Sequence, residues 1–129
     1  MKITSIPLSV DDAAEKIKSF LQEKRLQIFA DIDHQKNAES VELEMPKSRV
    51  IIFGNPLAGT KLMQKDISIS LDLPLRLAIV DNNNKTHLVR LSAEDYTRQY
   101  NVEGHPVLEN IEDLFITLTN KLTENKTIV

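Results

Sequence analysis

Two amphipathic stripes, one near each end of the chain, constrain its fold most strongly. Val10, Ala13, Ala14, Ile17, Phe20 and Leu21 recur at helical spacing, with Asp11, Glu15, Lys16, Ser19 and Glu23 between them. Val107, Ile111, Leu114, Phe115, Leu118 and Leu122 repeat the pattern toward the end. A helix with one apolar side has to bury that side against another layer. The material for that layer lies between the stripes. Leu26–Ile32, Ser48–Phe53, Leu75–Val80 and Lys85–Leu91 read as strands, and Met1–Leu8 as a first strand ahead of the first helix. The run SRVIIF at Ser48–Phe53 is rich in β-branched residues and marks a central strand. The polar run Asp81-Asn82-Asn83-Asn84 joins the last two strands as a hairpin turn, which makes that pair antiparallel. Strands grouped between helices give an α+β fold, a mainly antiparallel sheet with helices packed on one face, in the order β-α-β(4)-α.

Local signals set the boundaries. Ser9, with Asp12 three residues on, caps the first helix. Asp33 caps a short helical turn through His34, Gln35 and Lys36. Ser92 and Asp95 open another short helix, whose Tyr96 and Tyr100 share a face. Gly104 breaks the chain, and Pro106 suits the first turn of the last helix. There is no repeat, low-complexity tract or linker. The 129 residues are the size of one domain. We assign 1–125 to a single α+β domain and 126–129 to a frayed, polar C-terminal tail.

Charge and composition narrow the function classes. Lys and Arg number 16 against 19 Asp and Glu, interspersed and without a basic stripe. Nucleic-acid binding needs such a stripe to displace counterions from phosphates, so no nucleic-acid partner is expected. The chain has no cysteine, which removes disulfides, thiolate catalysis and cysteine-ligated zinc. His34, His87 and His105 show no zinc spacing, and no metal or other cofactor is expected. No run approaches the ~20 apolar residues of a membrane helix. The opening MKITSIPLSV lacks the apolar core of a signal peptide. The expected location is the cytoplasm, with no membrane partner.

Three segments stand out in wording and order: IDH at Ile32–His34, FGNPLAGTKLMQ at Phe53–Gln64, and LDLPLR at Leu71–Arg76. Over about Leu26 to Tyr100 they resemble the domain-of-unknown-function 302 family. Lys61 stands where a proline is common in that family. The resemblance implies a TATA-binding-protein-like fold class, with a strand, a helix, a four-strand meander and a closing helix. It also implies a homodimer. It implies no DNA binding, because function belongs to sites and not to folds, and it supplies no biochemical activity.

The candidate site residues are the few polar groups inside these apolar segments: His34, Asn55, Gly59, Thr60 and Asp72. At Gly54-Asn55-Pro56 a strand ends. The glycine allows a positive φ or a close backbone approach, and Asn55 can bond the backbone locally. Gly59-Thr60 then opens a helix with Leu62, Met63 and Ile67 inward. Its free N–H groups suit an anion, and Lys61 adds charge. The same features equally make a plain turn and helix cap. The loop lacks the GxxxxGK[ST] pattern of a nucleotide-phosphate cradle. Asp33-His34 pairs a carboxylate with an imidazole, as a general base or metal ligand requires, or simply caps a turn. Asp72, among Leu71, Leu73 and Leu75, needs partners if buried, or caps a loop. Three readings follow. The first is a homodimeric module binding a small molecule or peptide. The second is a small enzyme using Asp72, or Asp33 with His34, as acid and base. The third is a structural or interaction protein. Convergence of His34, Asn55 and Asp72 on one cleft favours the first two. Asn55 and Asp72 are expected to share a cleft, since a short helical crossover connects them.

Overall fold

The computed structural model describes residues 1–124; the tail expected at 126–129 lies outside them. Along the chain run β1 (Lys2–Ile6), α1 (Val10–Glu23), β2 (Gln27–Asp33), α2 (His34–Glu39) and β3 (Ser48–Gly54). Then come α3 (Pro56–Lys65), a 3-10 segment (Ile67–Asp72), β4 (Leu75–Asn82), β5 (Lys85–Arg90), α4 (Ala93–Gln99) and α5 (Pro106–Thr123). The five strands form one sheet in the order β1-β5-β4-β3-β2, with every neighbouring pair antiparallel. β2 to β5 are a meander, and β1 closes the β5 side. This is the α+β architecture expected from the order of elements.

The ends of the elements follow local chemistry. Ser9 Oγ accepts a hydrogen bond from the Asp12 N–H at 3.1 Å, so the first helix starts where its cap predicts. It finishes with Arg25 in the left-handed region at φ 58°, while the Leu26 N–H bonds the Leu21 carbonyl at 2.9 Å. That is a Schellman closure built without glycine. Asn83 and Asn84, at φ 54° and 64°, form the tight turn between β4 and β5. At Ser92 the capping box is complete, with the Asp95 carboxylate accepting from the Ser92 N–H at 2.7 Å. Gly104 takes φ 76°, where a side chain would be strained.

One face of the sheet carries the core. Ile51 and Phe53 of β3, Leu75, Leu77 and Ile79 of β4 and Leu88 of β5 meet Ile17, Phe20 and Leu21 of α1 and Phe115, Leu118 and Leu122 of α5 in one buried cluster. Phe53 and Phe115 meet edge to face, with centroids 6.0 Å apart. Arg90, on the same sheet face, is buried. Its guanidinium donates to Glu112 of α5 at 2.8 and 3.2 Å and lies 4.3 Å from the Phe115 ring centroid. Glu112 also accepts from the Ala93 N–H at 2.7 Å, so one carboxylate ties β5, α4 and α5 together.

A second ionic group fastens α1 to the sheet. Arg49 of β3 pairs with Asp31 of β2 and reaches Asp11 on α1 at 3.3 Å, while Lys18 bonds Asp31 at 2.9 Å. The Arg49 hydrogen bond holds the Asp31 carboxyl below its ordinary value, and Arg90 does the same for Glu112. A carboxylate with a depressed folded-state pKa stabilises the fold above its unfolded pKa of about 4 and loses that contribution as pH falls. The melting midpoint is therefore expected to drop as pH is lowered below about 4. A midpoint that stays flat from about pH 6 to about pH 2 would contradict this linkage.

The other sheet face carries an apolar row. Ile3, Val89, Ala78, Val50 and Ile32 stand in register across all five strands. Ile3 is exposed and the other four are half-buried.

Candidate functional site

The crossover from β3 to β4 helps to build an apolar hollow. Asn55 follows β3 and caps α3, its Oδ1 accepting from the Leu57 N–H at 2.9 Å, with Pro56 in the first turn. The helix thus opens at Pro56 and not at Gly59-Thr60, because Asn55 is the cap and proline is preorganised for the first turn. Gly59 already lies inside it, its N–H spent on the Asn55 carbonyl at 3.0 Å, so the free N–H groups expected there are absent. Gly54 needs neither freedom anticipated for it. A Cβ there would stand 3.5 Å from Pro74 Cβ, an ordinary contact, and its φ is not positive. Leu62 is buried and Met63 half-buried, as the helical spacing predicts, but Ile67 points outward. The helix stops at Lys65, Asp66 caps the 3-10 segment, and Ile69 takes the inward position instead.

Between α3, the adjoining ends of β2 to β4 and α5 lies a cavity of about 620 Å³. Its walls include Leu62, Met63, Leu73, Leu75, Ile111 and Leu114, with Phe29 and Lys24 also on the lining. Phe29 is the extra residue at an irregularity in the β2–β3 register, between Ile28 and Ala30. A bulge of this kind re-aims a side chain. The polar lining comes from Asn55, Thr60, Ser70 and Asn110. Three of the five candidate residues, Asn55, Gly59 and Thr60, therefore line one hollow.

The other two do not. His34 is exposed at the start of α2, at the opposite end of β2 and β3 from Asn55. Asp33 beside it accepts from the Lys36 N–H at 3.0 Å and caps α2. Asp31 and Asp33 do share a sheet face, but Asp31 is spent on Arg49 and Lys18. Asp72 lies outside the cavity lining. Its carboxylate accepts from the Tyr100 hydroxyl at 2.5 Å and from Arg76 at 2.6 Å. The hydrogen bond to Asp72 pushes the Tyr100 phenol up. Nearby, Asp66 accepts from the Asn101 N–H at 2.8 Å. The crossover is thus stitched to the segment after α4, and Asp72 and Asn55 serve different contacts. Asp72→Asn is expected to lower stability by about 1–3 kcal/mol, the scale of unbalancing a part-buried polar group. Tyr100→Phe should couple to it in a double-mutant cycle. Unchanged melting of both variants would remove the structural role.

Among the described residues no three His, Asp or Glu side chains gather as a metal site. No described helix is long and apolar enough to cross a membrane. What periodicity did not reveal is the part of the lining that comes from Lys24, Phe29 and Asn110. Val107, Ile111 and Leu114 were legible only as an apolar stripe, with nothing local to show that they also line a cavity.

The family described as Domain of unknown function DUF302 matches residues 1–124. The chain belongs to the DUF302 family. The crystal structure of an uncharacterized conserved DUF302 protein from Bacillus stearothermophilus superposes with a TM-score of 0.78. That match covers 94% of this chain and 96% of the other at 10% identity, so it speaks for the shared DUF302 fold alone. Over 81 residues the chain is 38% identical to proteins named Fluoride-specific ion channel FluC 1 from Brucella suis biovar 1 (strain 1330) and Brucella abortus biovar 1 (strain 9-941). The match takes in 62% of this chain but only 32% and 30% of those relatives, so it spans about a third of their length.

Proposed function

We propose that this DUF302 chain is a homodimeric module that binds a small molecule in the cavity between α3 and α5. The carrying observation is the cavity itself. Apolar walls with a few aimed polar groups are the usual make-up of a small-molecule site, and about 620 Å³ is in the usual size range. Asn55, Gly59 and Thr60 belong to this site; His34 and Asp72 do not reach it. An enzyme reading gains no support from the cavity, whose lining holds no carboxylate and no histidine. The likeness to part of the channel-named relatives fits the same role. On this reading the shared stretch is a binding module, and ion passage belongs to the rest of those proteins.

A thermal-shift screen of metabolites against the chain and an Ala58→Phe variant, which fills the cavity, tests the proposal. A ligand at a hundred times its dissociation constant should add about 2.7 kcal/mol to the chain and nothing to the variant. A ligand that stabilises both equally would place the site elsewhere.

The dimer has its own support. An antiparallel sheet with one wet face alternates apolar and polar residues. β3 instead reads Val50-Ile51-Ile52-Phe53, apolar on both faces, while the helices of the core cover only one. The in-register row from Ile3 to Ile32 is an apolar patch of the kind that marks an interface. Light scattering should give twice the 14.7 kDa chain mass. Val50→Glu should halve it with the circular dichroism unchanged. A monomer mass at high micromolar concentration would remove the dimer.

A further inference from the structure

We infer that the α3–α5 cavity takes an apolar organic monoanion, with Lys24 at its mouth meeting the charge. This rests on the cavity being the ligand site and names the class of ligand. Lys24 is the one charged residue on the lining. It follows the last turn of α1, exposed, with its Nζ 5.6 Å from the Phe20 ring centroid. An aromatic face attracts a cation, which favours holding the ammonium over Phe20. Among the described residues no carboxylate lies within 4.0 Å of that ammonium. The adjacent Glu23 turns to Lys121 instead, at 3.4 Å. The ammonium is thus an unneutralised positive charge beside an apolar hollow.

The remaining polar groups agree with this assignment. The Asn55 amide nitrogen, the Thr60 hydroxyl and the Asn110 side chain make no hydrogen bond within the described residues, and all three can donate. A cationic ligand would meet Lys24 and find no counter-charge. A small inorganic anion would leave the apolar walls bare. An apolar body with a single carboxylate satisfies both walls and charge, one cation to one anion.

The test compares 2-naphthoate, 2-naphthamide and 2-naphthylmethylammonium by titration calorimetry on the full chain. They share one ring system and differ in charge. Naphthoate should bind about fivefold tighter than the amide, the scale of one partly exposed ion pair, and the ammonium weakest. Lys24→Gln should bring naphthoate to the level of the amide without changing the amide, and rising salt should do the same progressively. Ala58→Phe should abolish binding of all three. If the three bind alike, or Lys24→Gln leaves the preference intact, while Ala58→Phe still removes binding, the monoanion is wrong and the cavity site stands. If no probe binds at millimolar concentration, or binding survives Ala58→Phe, the cavity itself is not the site.

Discussion

Ile17→Asp and Leu118→Asp should each leave the chain unable to fold. Both side chains are fully buried, Ile17 on the α1 stripe and Leu118 on the α5 stripe, in the cluster that joins the helices to the sheet. Either change removes a large apolar side chain, costing about 2–5 kcal/mol, and adds a carboxylate that has to stay buried and unpaired or take up a proton. The total rivals the ~5–15 kcal/mol that holds a typical domain together. Lys16→Asp, one residue along on the exposed side of α1, is the control and should change stability by no more than about 0.5 kcal/mol. Soluble Ile17→Asp or Leu118→Asp with unchanged circular dichroism and melting would show that the helix faces are wrongly assigned.

Glu112→Ala should be the most damaging substitution of a polar side chain. It strands the buried Arg90 guanidinium and takes the acceptor from the Ala93 N–H at the start of α4. Breaking a buried ion pair by removing one partner costs about 3–5 kcal/mol. The Glu112 side chain is 25% exposed, so water can reach the stranded group and the loss belongs near the lower end. Replacing both partners, with Arg90→Met and Glu112→Leu, should recover most of that loss, because no unpaired charge then remains in the core. Denaturant melts of the two single variants and the double variant close the cycle. A Glu112→Ala midpoint matching the parent, or a double variant no better than the single, would show that the pair does not hold α5 in place.

Neither Arg90 nor Glu112 could be picked out along the chain. Each looks like an ordinary charged residue at the end of a strand or on a helix. Only the packing of α5 over β5 brings them together, 22 residues apart. Asp72 shows the reverse case. Its apolar neighbours in sequence announced a carboxylate in need of partners, but not that Tyr100, 28 residues on, would be one of them.

Boundaries and faces were legible because they are local. Ser9, Asp33, Ser92, Pro106 and the Asn83-Asn84 turn act through backbone groups a few residues away, and helical spacing fixes which side of α1 and α5 is buried. The start of α3 was misplaced by three residues, at Gly59. In fact Asn55 and Pro56 outweighed it, an isolated helical glycine costing only about 1 kcal/mol. The α+β class, the antiparallel hairpin and the family motifs were all determined by the sequence alone. The tertiary structure decided that Asn55, Gly59 and Thr60 face a cavity while His34 and Asp72 do not. It also placed Lys24 and Asn110 on that same cavity. A cavity is the space left where separate elements fail to meet, so its shape depends on the packing of α3 against α5 and is written in no single segment.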